Sequence, residues 1–180
     1  MPDPQFILLG DAIWLDFVNT AEGRTPYAVD RLNDGGAYHR WAKAQNLESD
    51  VDTVPWQDVL DFRETLQALA SALAGGRQAT ASGVELVNQI LSRTEGHDQL
   101  TRTSGKWQIR FTPRNPTRAS DAIARSVAAT LTDPAKKVRR CSAEGCTLFY
   151  IDSSPGQTRS WCSVEPCGQR SRLERRRSLQ

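Results

Sequence analysis

Four cysteines near the carboxyl end constrain the possible fold of this 180-residue chain more than any other feature of its sequence. They form two pairs, with four residues inside each pair and fifteen residues between the pairs. These cysteines are Cys141, Cys146, Cys162 and Cys167. Zinc prefers four soft ligands at the corners of a tetrahedron, and two loops that each present a pair of thiolates meet this requirement. The pattern uses every cysteine of the sequence and therefore predicts one structural Zn²⁺ per chain.

Two disulfide bonds or an iron–sulfur cluster are the alternative uses of these cysteines. The longest apolar run near the start is Phe6 to Leu9, without the basic flank and cleavage site of a secretory signal. No stretch approaches the roughly 20 apolar residues of a membrane span. We therefore expect a cytoplasmic protein with no membrane partner, in which thiols stay reduced or bind metal. Nothing else in the sequence indicates the redox role that a cluster would serve.

Apolar periodicity predicts that most of the chain before Pro134 is helical. The clearest amphipathic helix has apolar residues at steps of three and four, and Gly75-Gly76 should end it. Its apolar positions are Val59, Phe62, Leu66, Leu69 and Leu73. Ser82 and Glu85 predict a capping box at the start of the next helix.

A change of period predicts one β-hairpin. Trp107, Ile109 and Phe111 alternate with polar residues, and Ser104-Gly105 supplies a turn before them. The predicted fold class is α+β, with a mainly helical domain and one small hairpin over residues 1–134. A small four-cysteine zinc module with a basic tail should follow over residues 135–180.

The residues around the cysteines predict a module that needs its metal. The run Leu148 to Ile151 is strand-like, and together with Trp161 it can supply a minimal core. A module of this size is not stable on such a core alone, so metal binding should be coupled to its folding. We expect the helical domain to stay folded without the metal, because its core residues lie elsewhere.

Three polar side chains fall on one stripe of an apolar segment near the start. Asp16, Asn19 and Thr20 are spaced at i, i+3 and i+4, and they share a face if the segment is helical. Such residues either form a buried hydrogen-bond network that docks the segment or line a pocket for a small-molecule effector. The sequence leaves both interpretations open.

Charge is distributed unevenly along the chain. Residues 135–180 contain ten Lys and Arg against four acidic residues, a net +6, whereas residues 1–134 contain 13 against 17, a net −4. After Cys167, arginines spread around a predicted helix that has no apolar face to bury. Guanidinium groups match phosphate oxygens, so nucleic acid is the predicted partner; a solvated terminus that binds nothing is the alternative. The candidate contacts are Arg170, Arg172, Arg175, Arg176 and Arg177, with Arg139 and Arg140 assisting.

The residues around the cysteines resemble the bacterial CGNR zinc-finger family. The matching features are Arg140-Cys141, Arg159-Ser160-Trp161-Cys162 and Cys167-Gly168-Gln169-Arg170. At the other end, Gly10-Asp11 and the run Leu15 to Thr20 resemble the opening motif of the ABATE domain, which precedes the zinc finger in that family. The resemblance implies a stress-responsive transcription regulator with zinc-dependent binding of DNA, which we expect to be duplex.

One position departs from the motif of the family, because its Asn is Gln169 here. Glutamine is a poor helix cap, but it can make the same bidentate contact to adenine as Asn, so Gln169 is a further candidate contact. A zinc-stabilised protein-interaction adaptor is the alternative function. An enzyme is not expected, because four cysteines close the zinc coordination sphere and the sequence contains no P-loop or dinucleotide-binding glycine pattern.

Overall fold

The computed structural model describes residues 6–21, 30–47, 54–114 and 118–177, with the backbone alone for residues 166 and 174–177. The helices before residue 134 are α1 (Ile13–Val18, extended by a 3-10 turn at Asn19–Ala21), α2 (Gly35–Ala44), α3 (Trp56–Ala74), α4 (Ala81–Arg93) and α5 (Ala119–Leu131). Between α4 and α5 lies an antiparallel hairpin of β1 (Gly96–Thr103) and β2 (Lys106–Pro113). A second antiparallel hairpin, β3 (Lys137–Arg140) and β4 (Phe149–Asp152), precedes a π-helical turn (Val164–Gly168) and α6 (Gln169–Arg177). The predicted fold class is confirmed.

Helix α3 follows the predicted apolar stripe. It begins after Pro55, whose fixed φ suits a helix start. At its end Gly76 has a φ of +71°, and the Arg77 N–H donates to the Ala72 carbonyl over 2.9 Å. This is the glycine-dependent termination that Gly75-Gly76 predicted. Neither α3 nor any other described helix is long and apolar enough to cross a bilayer.

Helix α4 begins earlier than a capping box at Ser82 and Glu85 would allow, so that prediction is wrong. Thr80 is the N-cap, and its hydroxyl accepts the Gly83 N–H over 3.3 Å. Gly83 is buried against α3, where a Cβ would stand 3.3 Å from the Leu69 side chain. The helix therefore begins at a threonine cap two residues earlier, and this start also places Gly83 close to α3.

The main core surrounds α1. Trp14, Leu15, Phe17 and Val18 are fully buried, although the helix has only six residues. The Phe17 ring lies 5.2 Å from Trp41 of α2 and 5.7 Å from Phe62 of α3, in the tilted geometry that aromatic pairs prefer. Because α1 is covered on all sides, its sequence shows no amphipathic period.

The hairpin β3–β4 joins the cysteine-rich module to this core. Val138, Phe149 and Ile151 belong to the same apolar cluster as α1 and α3, whereas Leu148 and Tyr150 pack with the cysteines. Successive strand residues point to opposite faces, so β4 contributes to both clusters. The expectation that the core of the helical domain lies apart from the module is therefore wrong.

Candidate metal centre and nucleic-acid interface

The four cysteine thiols meet at one buried point. Their Sγ atoms all lie within 4.8 Å of one another, and none of the cysteines forms a disulfide. Cys141 follows β3 and Cys146 precedes β4, so the hairpin presents the first pair. Cys162 and Cys167 approach from the segment that leads into α6. The structure thus brings together all four predicted metal ligands.

The sulfur spacing fits a tetrahedral zinc site. Sγ of Cys162 lies 3.9 Å from that of Cys146 and 3.5 Å from that of Cys167. Four sulfurs at a Zn–S distance of about 2.3 Å are roughly 3.8 Å apart along the edges of a tetrahedron. These cysteines would therefore hold a Zn²⁺ that supplies a cross-link between the hairpin and the start of α6.

Contacts between the cysteines shift the pKa values of the Cys141 and Cys146 thiols in opposite directions. Hydrogen bonding from Cys146 lowers the pKa of Cys141, and the same contact raises the pKa of Cys146 to about 11. The backbone N–H of Cys162 also donates to the Cys141 sulfur over 3.4 Å. Because zinc binds thiolates, the remaining protons leave when the metal enters, which makes its affinity depend on pH.

Two glycines allow the ligand loops to be tight. Gly145 has a φ of +66°, and the turn it forms lets the Cys146 N–H donate to the Ala143 carbonyl over 3.0 Å. Gly168 lies under the Trp161 ring, where a Cβ would stand 3.2 Å from the ring. The metal loops thus depend on small residues as well as on the cysteines.

Arg159 connects the second cysteine loop to the start of the chain. Its guanidinium forms an ion pair with Asp11, donates to the Cys162 carbonyl over 2.5 Å, and lies 4.4 Å from the centre of the Tyr150 ring. Partners of this kind outside the ligand shell orient metal ligands. Sequence reasoning gave Arg159 no role, because a single loop arginine reads as solvated; its place in the family motif was the only signal.

Asp152 and Tyr150 hold the loop around Arg159. Burial raises the pKa of Asp152, but hydrogen bonds from the Ser154 hydroxyl (2.6 Å) and the Arg159 N–H (3.2 Å) outweigh it, so the net shift is downward. Burial raises the pKa of Tyr150 to about 12, and its hydroxyl donates to the Arg159 carbonyl over 2.6 Å. A buried anion and a buried donor thus fix the loop.

Asn19 makes a two-point bond to the module. Its Nδ2 donates to the Phe149 carbonyl, and its Oδ1 accepts the Phe149 N–H, both over 2.9 Å. The Ile151 N–H donates to the Gly10 carbonyl over 2.9 Å. Since β3 pairs with the other edge of β4, Asn19 and Gly10 take the place of a third strand. Asn19 is fully buried, as a structural network requires.

Asp16 and Thr20 are also engaged in hydrogen bonds. Asp16 accepts the Gly10 N–H over 2.8 Å and the Gln45 amide over 3.1 Å. The Thr20 hydroxyl donates to the Phe17 carbonyl over 2.6 Å and accepts from Arg63 over 3.2 Å. These contacts favour the structural interpretation of the polar stripe; its role as an effector pocket stays a prediction.

The predicted nucleic-acid contacts divide into anchored and exposed residues. Arg170 donates to the Glu144 carbonyl over 2.6 Å, and Arg139 donates to the Gln157 carbonyl over 3.1 Å. Arg140, Gln169 and Arg172 are exposed. The Arg140 guanidinium lies 5.3 Å from the Phe149 ring centre, and that of Arg172 lies 5.8 Å from the Trp161 ring centre. The side chains of Arg175, Arg176 and Arg177 lie outside the described residues, although their backbone is part of α6.

Comparison with known families covers most of the chain. Residues 11–134 match the family model of the ABATE domain, described as "Putative stress-induced transcription regulator", and residues 137–179 match that of the CGNR zinc finger. No curated protein matches the chain. The zinc-finger match and the buried four-thiol geometry identify structural Zn²⁺ as the cofactor. Neither family description names an enzyme.

Zinc removal should destabilise more than the module. We expect one zinc per chain, and the Cys162→Ser variant should lose tight metal binding. Because Phe149 and Ile151 pack in the main core, the helices should also melt at lower temperature in this variant. Elemental analysis and helical circular dichroism test this, with the neighbouring Ser163→Ala variant as the control. Iron, metal-free protein with disulfides, or unchanged melting of the helices would contradict it.

The Asn19→Ala variant should reduce the free energy of unfolding by about 2–4 kcal/mol, because two buried backbone groups of Phe149 lose their partners. The exposed Asn88 of α4 offers a matched control, and Asn88→Ala should change stability by less than about 0.5 kcal/mol. Urea unfolding measures both. Unchanged stability, together with loss of ligand-induced stabilisation across a metabolite panel, would instead favour the pocket.

Asp16 should make stability fall as pH rises. Desolvation by burial raises its pKa from 3.8 to about 6, so the folded state binds this proton more tightly than the unfolded state. Its contribution is complete below pH 3.8 and is lost as pH rises through 6, on the order of 3 kcal/mol in all. Stability of wild type relative to Asp16→Asn should fall by this amount in urea titrations from about pH 4 to 7. Parallel pH profiles would refute the assignment.

Proposed function

Because this chain belongs to the ABATE family and carries a CGNR zinc finger, we propose that it is a transcription regulator whose basic carboxyl end binds duplex DNA. The observation that carries the proposal is the position of α6. The basic helix begins at Gln169, two residues after the metal ligand Cys167. The zinc site therefore fixes the point from which the arginines extend.

The charge of the module supports a polyanionic partner. Residues 135–180 have ten basic and four acidic residues, a net +6, and one of those acids, Asp152, is buried inside the module. Residues 1–134 are net negative (13 basic, 17 acidic). The positive charge is thus concentrated in the carboxyl-terminal module, where it can attract phosphate, while the negative charge of residues 1–134 opposes their contact with DNA.

Within this end the residues have different proposed roles. Arg170 is bonded to the carbonyl of Glu144 in the first cysteine loop, so it positions α6 against the zinc site. Arg172 and Arg140 are exposed and are the proposed phosphate contacts of the described side chains. Gln169 is exposed at the first position of α6, where a side chain can make base-edge hydrogen bonds. Phosphate contacts set affinity, and Gln169 would set sequence preference.

A structural role for the metal agrees with this function. Four thiolates leave no coordination position open for a substrate, so the zinc supplies stability and orientation. Loss of the metal would release α6 from the hairpin, because Cys162 and Cys167 would no longer be linked to Cys141 and Cys146. DNA binding should therefore depend on zinc even though the metal does not contact DNA.

Binding to duplex DNA should depend strongly on salt. If about five arginines neutralise phosphates, log K should fall with log salt at a slope near −4.5. Deletion of residues 171–180 removes four arginines and should flatten the slope by roughly 3 to 4 units with zinc retained. The triple variant Arg175→Gln, Arg176→Gln, Arg177→Gln should flatten it by about 2.7 units without shortening the chain. Fluorescence-anisotropy titrations at several salt concentrations measure these slopes.

The matched control removes three positive charges from exposed positions elsewhere, with Lys43→Gln, Arg77→Gln and Arg93→Gln. It should bind DNA with nearly the wild-type slope, because these residues lie outside the proposed interface. Selection of bound sequences from a random DNA pool would then define the site, and Gln169→Ala should relax its sequence preference. Equal binding by the full-length and truncated proteins would refute the proposal and favour a zinc-stabilised protein-interaction adaptor.

A further inference from the structure

The hairpin β1–β2 exposes an apolar face. Leu100, Trp107 and Ile109 are 63%, 64% and 74% exposed. In the register of the hairpin Leu100 lies opposite Ile109, and Arg102 lies opposite Trp107, so these residues share one face. Within the described residues this sheet contains β1 and β2 alone. A clustered apolar face of this kind marks an interaction surface.

Alternate residues of β1 direct their backbone N–H and C=O groups toward the outer edge of the strand. Ser104 and Gly105 have φ values of 49° and 80°, the type I′ geometry of a two-residue turn between Thr103 and Lys106. Thr103 and Lys106 then form a hydrogen-bonded pair, and such pairs alternate along the hairpin. Asp98, Leu100 and Arg102 occupy the intervening non-hydrogen-bonded positions. Their N–H and C=O groups therefore point away from β2, toward the outer edge.

The charged residues of β1 can pair with those of an identical antiparallel strand. Asp98 and Arg102 stand two residues before and two residues after Leu100, on the same face. We propose that β1 pairs with β1 of a second copy of this chain, antiparallel about a twofold axis at Leu100. Each Asp98 then lies directly opposite Arg102 of the second copy, which gives two symmetric ion pairs. The result is a four-stranded sheet in which the two Leu100 side chains meet at the axis and the ion pairs lie on either side of them.

The existing contacts of Arg102 are compatible with this pairing. Its Nε donates to the Gly105 carbonyl over 3.3 Å, and its guanidinium lies 5.6 Å from the Trp107 ring centre. A guanidinium donates several hydrogen bonds, so it can keep this contact and bind a carboxylate. Pairing at this edge buries the backbone groups of β1 and the flanks of the side chains at the seam, which is a smaller contact than a standard interface. We therefore expect a reversible dimer.

Other pairings of the same hairpin fit less well. Strand β2 contains Lys106 and Arg110 and no acidic residue, so pairing two β2 strands brings together only positive charges. Pairing β1 with β2 of another copy is a heterologous contact, which leads to rings or filaments and not to a twofold dimer. The β1 pairing alone combines opposite charges with twofold closure. It involves no residue of the zinc module, so it does not depend on DNA binding.

A charge swap tests the dimer. Sedimentation velocity of the zinc-loaded full-length chain at roughly 1–100 µM should show a reversible monomer–dimer equilibrium. Asp98→Arg and Arg102→Asp each place like charges opposite each other, and each should raise the dissociation constant at least about tenfold. The double variant restores opposite charges in exchanged positions and should return to within about threefold of wild type. Only pairing with an identical strand in this register predicts this rescue.

The control variant is Gln108→Arg, which adds a charge on the opposite face of β2 and should leave the dimer unchanged. Circular dichroism and zinc content confirm folding of each variant. Should Arg102→Asp fail to fold, Asp98→Arg and Leu100→Asp still provide the test. The Leu100→Asp variant places two carboxylates next to each other at the twofold axis and should weaken the dimer. A monomeric wild type, filaments, dimers that tolerate the single changes, or a double variant no better than the singles would overturn the proposal.

Discussion

The structure depends on β4, a four-residue strand that belongs to two cores. Phe149 and Ile151 pack with the helices, while Leu148 just before it and Tyr150 within it pack with the cysteines. This follows from strand geometry, since neighbouring side chains point to opposite faces. The helical part and the zinc module therefore share a packed boundary in which neither side has a complete core of its own.

Polar contacts specify how that boundary is assembled. Asn19 and Gly10 bond to one edge of β4, and Arg159 returns from the second cysteine loop to Asp11. Apolar packing tolerates small shifts, but a buried backbone group left unpaired is costly, so these bonds select one register. Helix α1 and the zinc loops are thus both packed against the same strand.

The sequence predicted those features whose signal is local. The stripe of α3 and the turn at Ser104-Gly105 follow from the geometry of one element. The four-cysteine pattern follows from the ligand pairs that one metal ion requires. It gave an ambiguous signal for α1, because a helix buried on all sides has no polar face to reveal its period. It was misleading for α4, where Thr80 rather than Ser82 caps the helix, because two nearby hydroxyl residues offered competing caps.

By itself, the sequence determined that four thiols would act together, that the carboxyl end would be basic, and that most of the remainder would be helical. Composition and short-range periodicity are sufficient for these properties. Only the tertiary structure decided that Asn19 bonds to Phe149, that Arg159 reaches Asp11, and that β4 completes the core of the helices. Residues more than a hundred positions apart meet because of how whole elements pack, and no local spacing encodes that geometry.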